Sequence, residues 1–123
     1  MIVIESVNHI GITVSNLEES VKFYRELFDF EIIDKASAPG VAFMRVTDIT
    51  IGLYEEHGYK NSNSSKHRIS FYVDEEDFED AVDELEDRNL QIVYGPENLR
   101  KGKTVVFLDP DGNQIELSYP LIG

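Results

Sequence analysis

The chain has 123 residues, of which 41% are hydrophobic and 11% aromatic, and this composition suits one globular domain and excludes a disordered chain. A formal net charge of -13 argues against nucleic acid and anionic membranes as partners, and the absence of cysteine excludes disulfides, thiolate zinc sites and cysteine nucleophiles. The N-terminal segment meets Glu5 too early for a signal peptide or a membrane span, so we expect a cytoplasmic protein.

The first half of the chain has the pattern of a βαβββ unit. Alternating apolar residues predict a strand over residues 7–14, and Ser15 and Asn16 then offer capping chemistry for a helix. The apolar residues of this helix recur at helical spacing from Leu17 to Phe28. Three further strands are predicted over residues 30–33, 41–46 and 49–54.

The same order of elements returns in the second half. Ile69, Phe71 and Val73 alternate as a strand, and the helix that follows begins with acidic residues at the positive end of its dipole. A strand is predicted over residues 91–94, then Gly95-Pro96 and a polar loop, and finally a hairpin. The chain therefore has the pattern βαβββ twice.

The boundary between the two units is predicted from a change in composition. Residues 55–66 are polar and without period, which indicates a linker or a loop. We predict a single α+β domain with a first module over residues 1–56, a linker over residues 57–66 and a second module over residues 67–123.

The closing hairpin, TVVFLDPDGNQIELSY at residues 104–119, carries a carboxylate in the middle of an otherwise apolar strand. Its turn is formed by Asp109-Pro110-Asp111-Gly112. A period of two puts Ile115, Leu117 and Tyr119 on one face of the strand and Glu116 on the other. If the first face packs on a helix, Glu116 points into the space on the concave side of the sheet.

The internal repeat pairs four positions of the chain. The alignment sets HIGITV at residues 9–14 on RISFYV at residues 68–73, and Ile51-Gly52-Leu53 on Ile115-Glu116-Leu117. His9 then corresponds to Arg68, and Gly52 corresponds to Glu116. Strand parity directs all four away from the helix-facing residues, so two modules that face each other would bring them to one cavity.

The sequence resembles the vicinal oxygen chelate superfamily, which includes glyoxalase I, extradiol dioxygenases, fosfomycin resistance enzymes and bleomycin resistance proteins. The likeness runs through VNHIGITVSNLEESVKFYRELFDFEII, ISFYVDEEDFEDAVDELEDRNLQI and FLDPDGNQIEL, which together span almost the whole chain. The resemblance implies two βαβββ modules that form a curved mixed sheet around a central cavity, with the helices outside. It also implies a homodimer, in some members with a site shared between subunits.

The resemblance further implies a site for one divalent metal ion. Enzymes of this superfamily hold the ion at inward positions of the first and last strands, commonly with two His and one or two Glu. His9 and Glu116 match such ligands, whereas Gly52 has no side chain and Arg68 cannot coordinate a cation. His67 lies one residue before the expected position, and a β-bulge after the preceding loop would be needed to aim it into the site.

Three functions are open at this point. The first is a metal-dependent lyase, transferase or dioxygenase acting on a small molecule, with Fe, Mn, Ni or Zn held by His9, Glu116 and a re-aimed His67. The lack of a carboxylate at Gly52 disfavours glyoxalase activity itself. The second is a metal-free binding module, akin to bleomycin resistance proteins, in which Arg68 and Glu116 orient the ligand. The third is a scaffold whose ligand site has decayed.

Two tyrosines share the strand parity of these positions. Tyr54 follows Gly52 by two residues, and Tyr72 follows Arg68 by four. Their phenol groups would line a small-molecule pocket or donate hydrogen bonds to a ligand, and core packing is the alternative for each. Tyr54, Tyr72 and Arg68 are therefore the predicted substrate contacts, and no residue is assigned as the catalytic base or nucleophile.

Overall fold

The computed structural model of the chain describes residues 1–33, 38–61 and 67–123. These residues divide into two compact units, Met1–Lys60 and Asn61–Gly123. Each unit contains one helix and one four-stranded mixed sheet, which confirms the α+β class and the repeated βαβββ order. Residues 62–66 of the predicted linker lie outside the described residues.

The first unit forms its sheet around a parallel pair of strands. Its elements are β1 (Ile10–Val14), α1 (Leu17–Phe28), β2 (Glu31–Ile32), β3 (Val41–Val46) and β4 (Ile49–Glu55). The strand order is β1-β4-β3-β2, with β1 parallel to β4 and the other neighbours antiparallel. The Asn16 side chain accepts a hydrogen bond from the Glu19 amide at 3.0 Å, so the predicted cap begins α1.

β1 begins later than the apolar alternation predicts. Its pairing with β4 starts at Ile10, opposite Ile51, and Val7 is 69% exposed. The alternation therefore runs beyond the ladder, because a side-chain pattern does not report whether a neighbouring backbone is present to pair with. The predicted strand over residues 7–14 is correct only from residue 10 onward.

The second unit repeats the order of the first. Its elements are β5 (Arg68–Tyr72), α2 (Glu75–Asp87), β6 (Ile92–Leu99), β7 (Gly102–Leu108) and β8 (Gln114–Tyr119). The strand order is β5-β8-β7-β6, with β5 parallel to β8. Neither α1 nor α2 is long and apolar enough to cross a membrane.

β6 is longer than predicted, and the expected loop at Gly95-Pro96 lies inside it. The register with β7 shifts between Ile92 and Tyr94 and again between Tyr94 and Glu97. β6 is an edge strand of its sheet, and a proline is tolerated on an edge strand at a bulge because the ladder needs no amide donor there. The interpretation of Gly95-Pro96 as the end of the strand is therefore wrong.

The two faces of each sheet follow the predicted parity. In the second unit, Ile115 and Leu117 are buried, and the ring of Tyr119 lies 5.4 Å from that of Phe78 on α2. In the first unit, α1 packs against β3 and β4, and Ile51 and Leu53 are fully buried. Glu116 and Gly52 alternate with these residues, so each belongs to the face of its own sheet that is turned away from the helix.

The strand register is the same in both units. Ile10 lies opposite Ile51 in the first, and Ile69 lies opposite Ile115 in the second. This equivalence confirms the alignment of the two modules that pairs Gly52 with Glu116.

Candidate functional site

Glu116 is a buried carboxylate on the polar face of the second sheet. It is 7% exposed and lies in the middle of β8, opposite Ser70 of β5 and Val106 of β7. The hydroxyl of Thr104, itself fully buried, donates a hydrogen bond to Glu116 Oε2. A carboxylate taken out of water needs such donors or a cation, because its desolvation is costly.

A cation does face Glu116, and it comes from the turn between β6 and β7. Arg100 Nη2 lies 3.9 Å from Glu116 Oε2, with the Arg100 side chain 44% exposed. Both contacts made by described residues therefore fall on the same carboxylate oxygen, and Oε1 stays available to a ligand. The Glu116 carboxylate is thus an oriented hydrogen-bond acceptor, and the cation beside it, Arg100, is exposed enough to move toward water.

Hydroxyl groups extend this polar face along the two neighbouring strands. Ser70 Oγ and Ser118 Oγ are hydrogen bonded at 3.1 Å across the β5–β8 pair. Ser70 also lies opposite Glu116 in the register. The face of the second sheet away from α2 thus presents polar groups that accept or donate hydrogen bonds, which is the chemistry that fixes a small ligand.

Arg68 lies on the same face as Glu116 but does not pair with it among the described residues. It is exposed and sits opposite Gln114 at the start of β5. The cation that reaches Glu116 is Arg100, a loop residue that strand parity does not identify. Among the described residues the cation beside Glu116 is therefore Arg100, while a role for Arg68 as a substrate contact stays a prediction.

His67 is exposed and immediately precedes β5. The register between β5 and β8 runs unbroken from Arg68 to Tyr72, so no bulge within β5 re-aims it. A reorientation of His67 would have to arise at residue 67 or before it, next to residues 62–66, which lie outside the described part of the chain. His67 as a metal ligand therefore stays a prediction.

Tyr72 lies at the end of β5 and is 48% exposed. Its hydroxyl donates a hydrogen bond to the carboxylate of Asp74, the residue that precedes α2. This hydrogen bond raises the pKa of Tyr72 above its ordinary value, since ionisation would remove the donated proton beside a negative charge. Its predicted role as a substrate contact would require the hydroxyl to leave Asp74.

His9 is held at both ring nitrogens within the first unit. Nδ1 lies 2.7 Å from Asn8 Oδ1, which can only accept, so Nδ1 carries the proton. In the neutral imidazole, Nε2 then has the lone pair and accepts a hydrogen bond from the Tyr54 hydroxyl at 2.9 Å. An imidazole whose Nδ1 donates to a carbonyl oxygen presents Nε2 as a metal-binding nitrogen, which is the usual outer-shell arrangement of a ligating histidine.

Aromatic rings fill the space around Gly52. The His9 ring packs edge-to-face on Phe43 at 5.3 Å and is stacked with Tyr54 at 6.2 Å. A Cβ at position 52 would lie 2.9 Å from ring atoms of both Phe43 and Tyr54. The position equivalent to Glu116 in this module is thus closed to a liganding side chain, and glycine there permits the rings to approach the strand.

The donor chemistry of His9 and Glu116 suits a divalent ion. Glu116 has an available oxygen, and His9 has its lone pair on the nitrogen that ligates in such sites. Within residues 1–33, 38–61 and 67–123, no group of three or more His, Cys, Asp or Glu is placed to hold a metal. The donor chemistry of each of the two residues fits a divalent ion, and the triad with His67 stays a prediction.

Sequence reasoning missed Arg100, Thr104 and Asn8. Arg100 belongs to a basic run, RKGK at residues 100–103, which stands out in a chain of net charge -13. Thr104 lies opposite Ser118 and diagonal to Glu116, so strand pairing was the signal that could have found it. Asn8 carries no pattern that distinguishes it from a loop residue.

Three comparisons relate the chain to known proteins. A sequence model described as the Glyoxalase/Bleomycin resistance protein/Dioxygenase superfamily matches residues 6–117. The metallothiol transferase FosB of Staphylococcus epidermidis (strain ATCC 12228 / FDA PCI 1200) is 34% identical over 118 residues, which cover 93% of this chain and 81% of FosB. The glutathione transferase FosA of Serratia marcescens is 32% identical over 117 residues, which cover 93% of this chain and 80% of FosA.

A solved structure shares the fold. The fosfomycin resistance protein FosX from Listeria monocytogenes, in complex with Mn(II) and a sulfate ion, has a TM-score of 0.84 at 19% identity, covering 98% of this chain and 94% of FosX. At this identity the likeness concerns the fold alone. The matched residues 6–117 include all three predicted ligands, His9, His67 and Glu116.

Proposed function

Because the chain belongs to the Glyoxalase/Bleomycin resistance protein/Dioxygenase superfamily, also called the vicinal oxygen chelate superfamily, we propose that it is a divalent-metal-dependent transferase acting on a small molecule. The reaction is the addition of a thiol to an electrophilic substrate, with fosfomycin as the first candidate. Relatives named metallothiol transferase and glutathione transferase, at 34% and 32% identity, support this reaction class. The FosX complex with Mn(II) supports manganese as the first metal to test.

The observation that carries the proposal is the state of Glu116. A carboxylate that is 7% exposed in the middle of a strand costs stability unless it is fully paired, yet one of its oxygens is left to a ligand by the described residues. A buried carboxylate with an available oxygen is typical of a binding site, because burial strengthens its electrostatic interaction with a ligand.

The proposed ligand set is His9, Glu116 and His67. A divalent ion supplies Lewis-acid polarisation and a template for the substrate oxygens. The protein groups orient the ligands: Asn8 fixes the His9 tautomer and Thr104 holds the Glu116 carboxylate in place. The predicted homodimer and cytoplasmic location belong to the same proposal.

A metal-free binding module is the second candidate, and one observation favours it. Each of the two fitting ligands already has an internal partner, Tyr54 for His9 and Arg100 for Glu116. Arg68 at the position of the expected second histidine also favours the metal-free alternative, because an arginine cannot coordinate a cation. In this alternative, Arg68 and Glu116 orient a ligand that is bound and not transformed.

Metal titration separates the two candidates. Protein stripped with a chelator is titrated with Mn²⁺, Fe²⁺, Ni²⁺ and Zn²⁺ by calorimetry, and we expect one ion per chain. Replacing His9 or His67 with alanine should lower the affinity more than about 100-fold, since even outer-shell losses cost about 10- to 100-fold.

The matched control for this titration is His57→Ala. The His57 side chain is 91% exposed and lies in the first unit, so its loss should leave the affinity unchanged. Absence of binding by the unmodified protein would contradict the metalloenzyme and favour the binding module. Loss of binding in His9→Ala but not in His67→Ala would remove His67 from the ligand set.

A further inference from the structure

We infer that Arg100 is a built-in counter-cation of Glu116 that competes with a divalent ion for the carboxylate and thereby sets the metal affinity of the site. The inference rests on the proposed function in one respect, that a metal binds Glu116. Its first support is the distance of 3.9 Å between Arg100 Nη2 and Glu116 Oε2. A guanidinium offers only donors, so it can neutralise the carboxylate but cannot share it with a metal as a co-ligand.

The backbone that presents Arg100 is in an unfavourable conformation. Leu99 and Gly102 pair across a two-residue turn, and both central residues are left-handed, with φ of 49° at Arg100 and 63° at Lys101. This is the pattern of a type I′ turn, for which Asn and Gly are strongly preferred. The chain instead has two long cationic residues there, and of the two it is Arg100 that reaches the Glu116 carboxylate.

Arg100 is much more exposed than Glu116, as expected of a cation that a metal ion can displace. The Glu116 side chain is 9% exposed and is held by Thr104, whereas the Arg100 side chain is 44% exposed. When a metal ion binds, the Glu116 carboxylate would therefore keep its position and the Arg100 guanidinium would move into water. Until it moves, Arg100 repels a second cation at the same oxygen.

The test compares two substitutions in the same turn. Arg100→Asn and Lys101→Asn each remove one positive charge, and each places at a left-handed position a residue that tolerates it. Of these two residues, Arg100 is the one that lies against Glu116. Titration of the chelator-stripped full chain with Mn²⁺ should therefore show affinity raised about tenfold in Arg100→Asn and little changed in Lys101→Asn, because the repulsion is short-range.

A conservative variant tests whether the positive charge at position 100 sets the affinity for Mn²⁺. Arg100→Lys keeps the charge, so its affinity for Mn²⁺ should stay near that of the unmodified chain. Equal affinity in Arg100→Asn, Lys101→Asn and the unmodified protein would overturn the inference and leave the metal function standing. Binding of Mn²⁺ by none of these proteins would overturn the metal function, and the inference with it.

Discussion

Replacing Glu116 with glutamine is expected to lower the affinity for Mn²⁺ more than about 100-fold, while the fold is kept. The substitution preserves the shape of the side chain and an oxygen that can accept from Thr104, so the strand contact survives. It removes the negative charge that a divalent ion requires from an oxygen ligand. Calorimetric titration measures the affinity, and urea unfolding monitored by circular dichroism verifies that the protein is folded.

The control for this substitution is Glu79→Gln, which makes the same change of charge in the same unit. Glu79 is exposed on α2, and α2 packs on the face of the sheet opposite to Glu116. Its replacement should leave Mn²⁺ binding unchanged, because an exposed charge on the far side of the sheet is screened by water and salt. Equal losses in the two variants would mean that Glu116 acts through net charge and is not a ligand.

Replacing Asp109 with alanine is expected to destabilise the protein by about 3 kcal/mol or more. Asp109 is 5% exposed, and its side chain organises the turn between β7 and β8. Its Oδ1 accepts the backbone N–H groups of Asp111 and Asn113, and its Oδ2 accepts Asn113 Nδ2, each at 2.9 Å. Alanine would leave these donors without their acceptor in a buried turn, and urea unfolding measures the loss.

The matched variant for this turn is Asp109→Asn. The amide keeps one oxygen, which can serve the two backbone donors, and loses the acceptor for Asn113 Nδ2. The expected cost is about 1–2 kcal/mol, clearly below that of alanine. If the alanine variant were as stable as the unmodified chain, the turn would not depend on this carboxylate.

The parts of the site that lie on regular strands could be predicted from sequence. The period of two in β8 places Ile115 and Leu117 on the face toward the helix and Glu116 on the other face of the strand. The repeat identifies Gly52 as the equivalent of Glu116. These inferences need only local alternation and one alignment. They hold because a ladder without register shifts carries parity along its whole length.

The residues that contact the predicted ligands could not be found in this way. Arg100 reaches Glu116 from a tight turn, and Tyr54 reaches His9 from a different strand, 45 residues away in the chain. Both contacts depend on which backbone segments become neighbours, and that is a tertiary property. The length of β6 escaped prediction for a related reason, since its bulges interrupt the alternation that marks a strand.

His67 shows the limit of parity arguments at a strand end. Parity assigns Arg68 to the face of Glu116 and would send His67 to the other face if the strand continued. β5 begins at Arg68, so His67 lies outside the ladder and parity does not govern it. Its role depends on the conformation of the preceding loop.

The most direct test of the proposed function is turnover of fosfomycin by metal-loaded protein in the presence of a thiol. Consumption of the thiol and formation of the adduct are followed together, with Mn²⁺ present or removed by chelator, and with Glu116→Gln as the inactive reference. We expect adduct formation that requires both the metal and Glu116. Binding of fosfomycin without turnover under any metal and thiol would contradict the transferase and establish a binding module in its place.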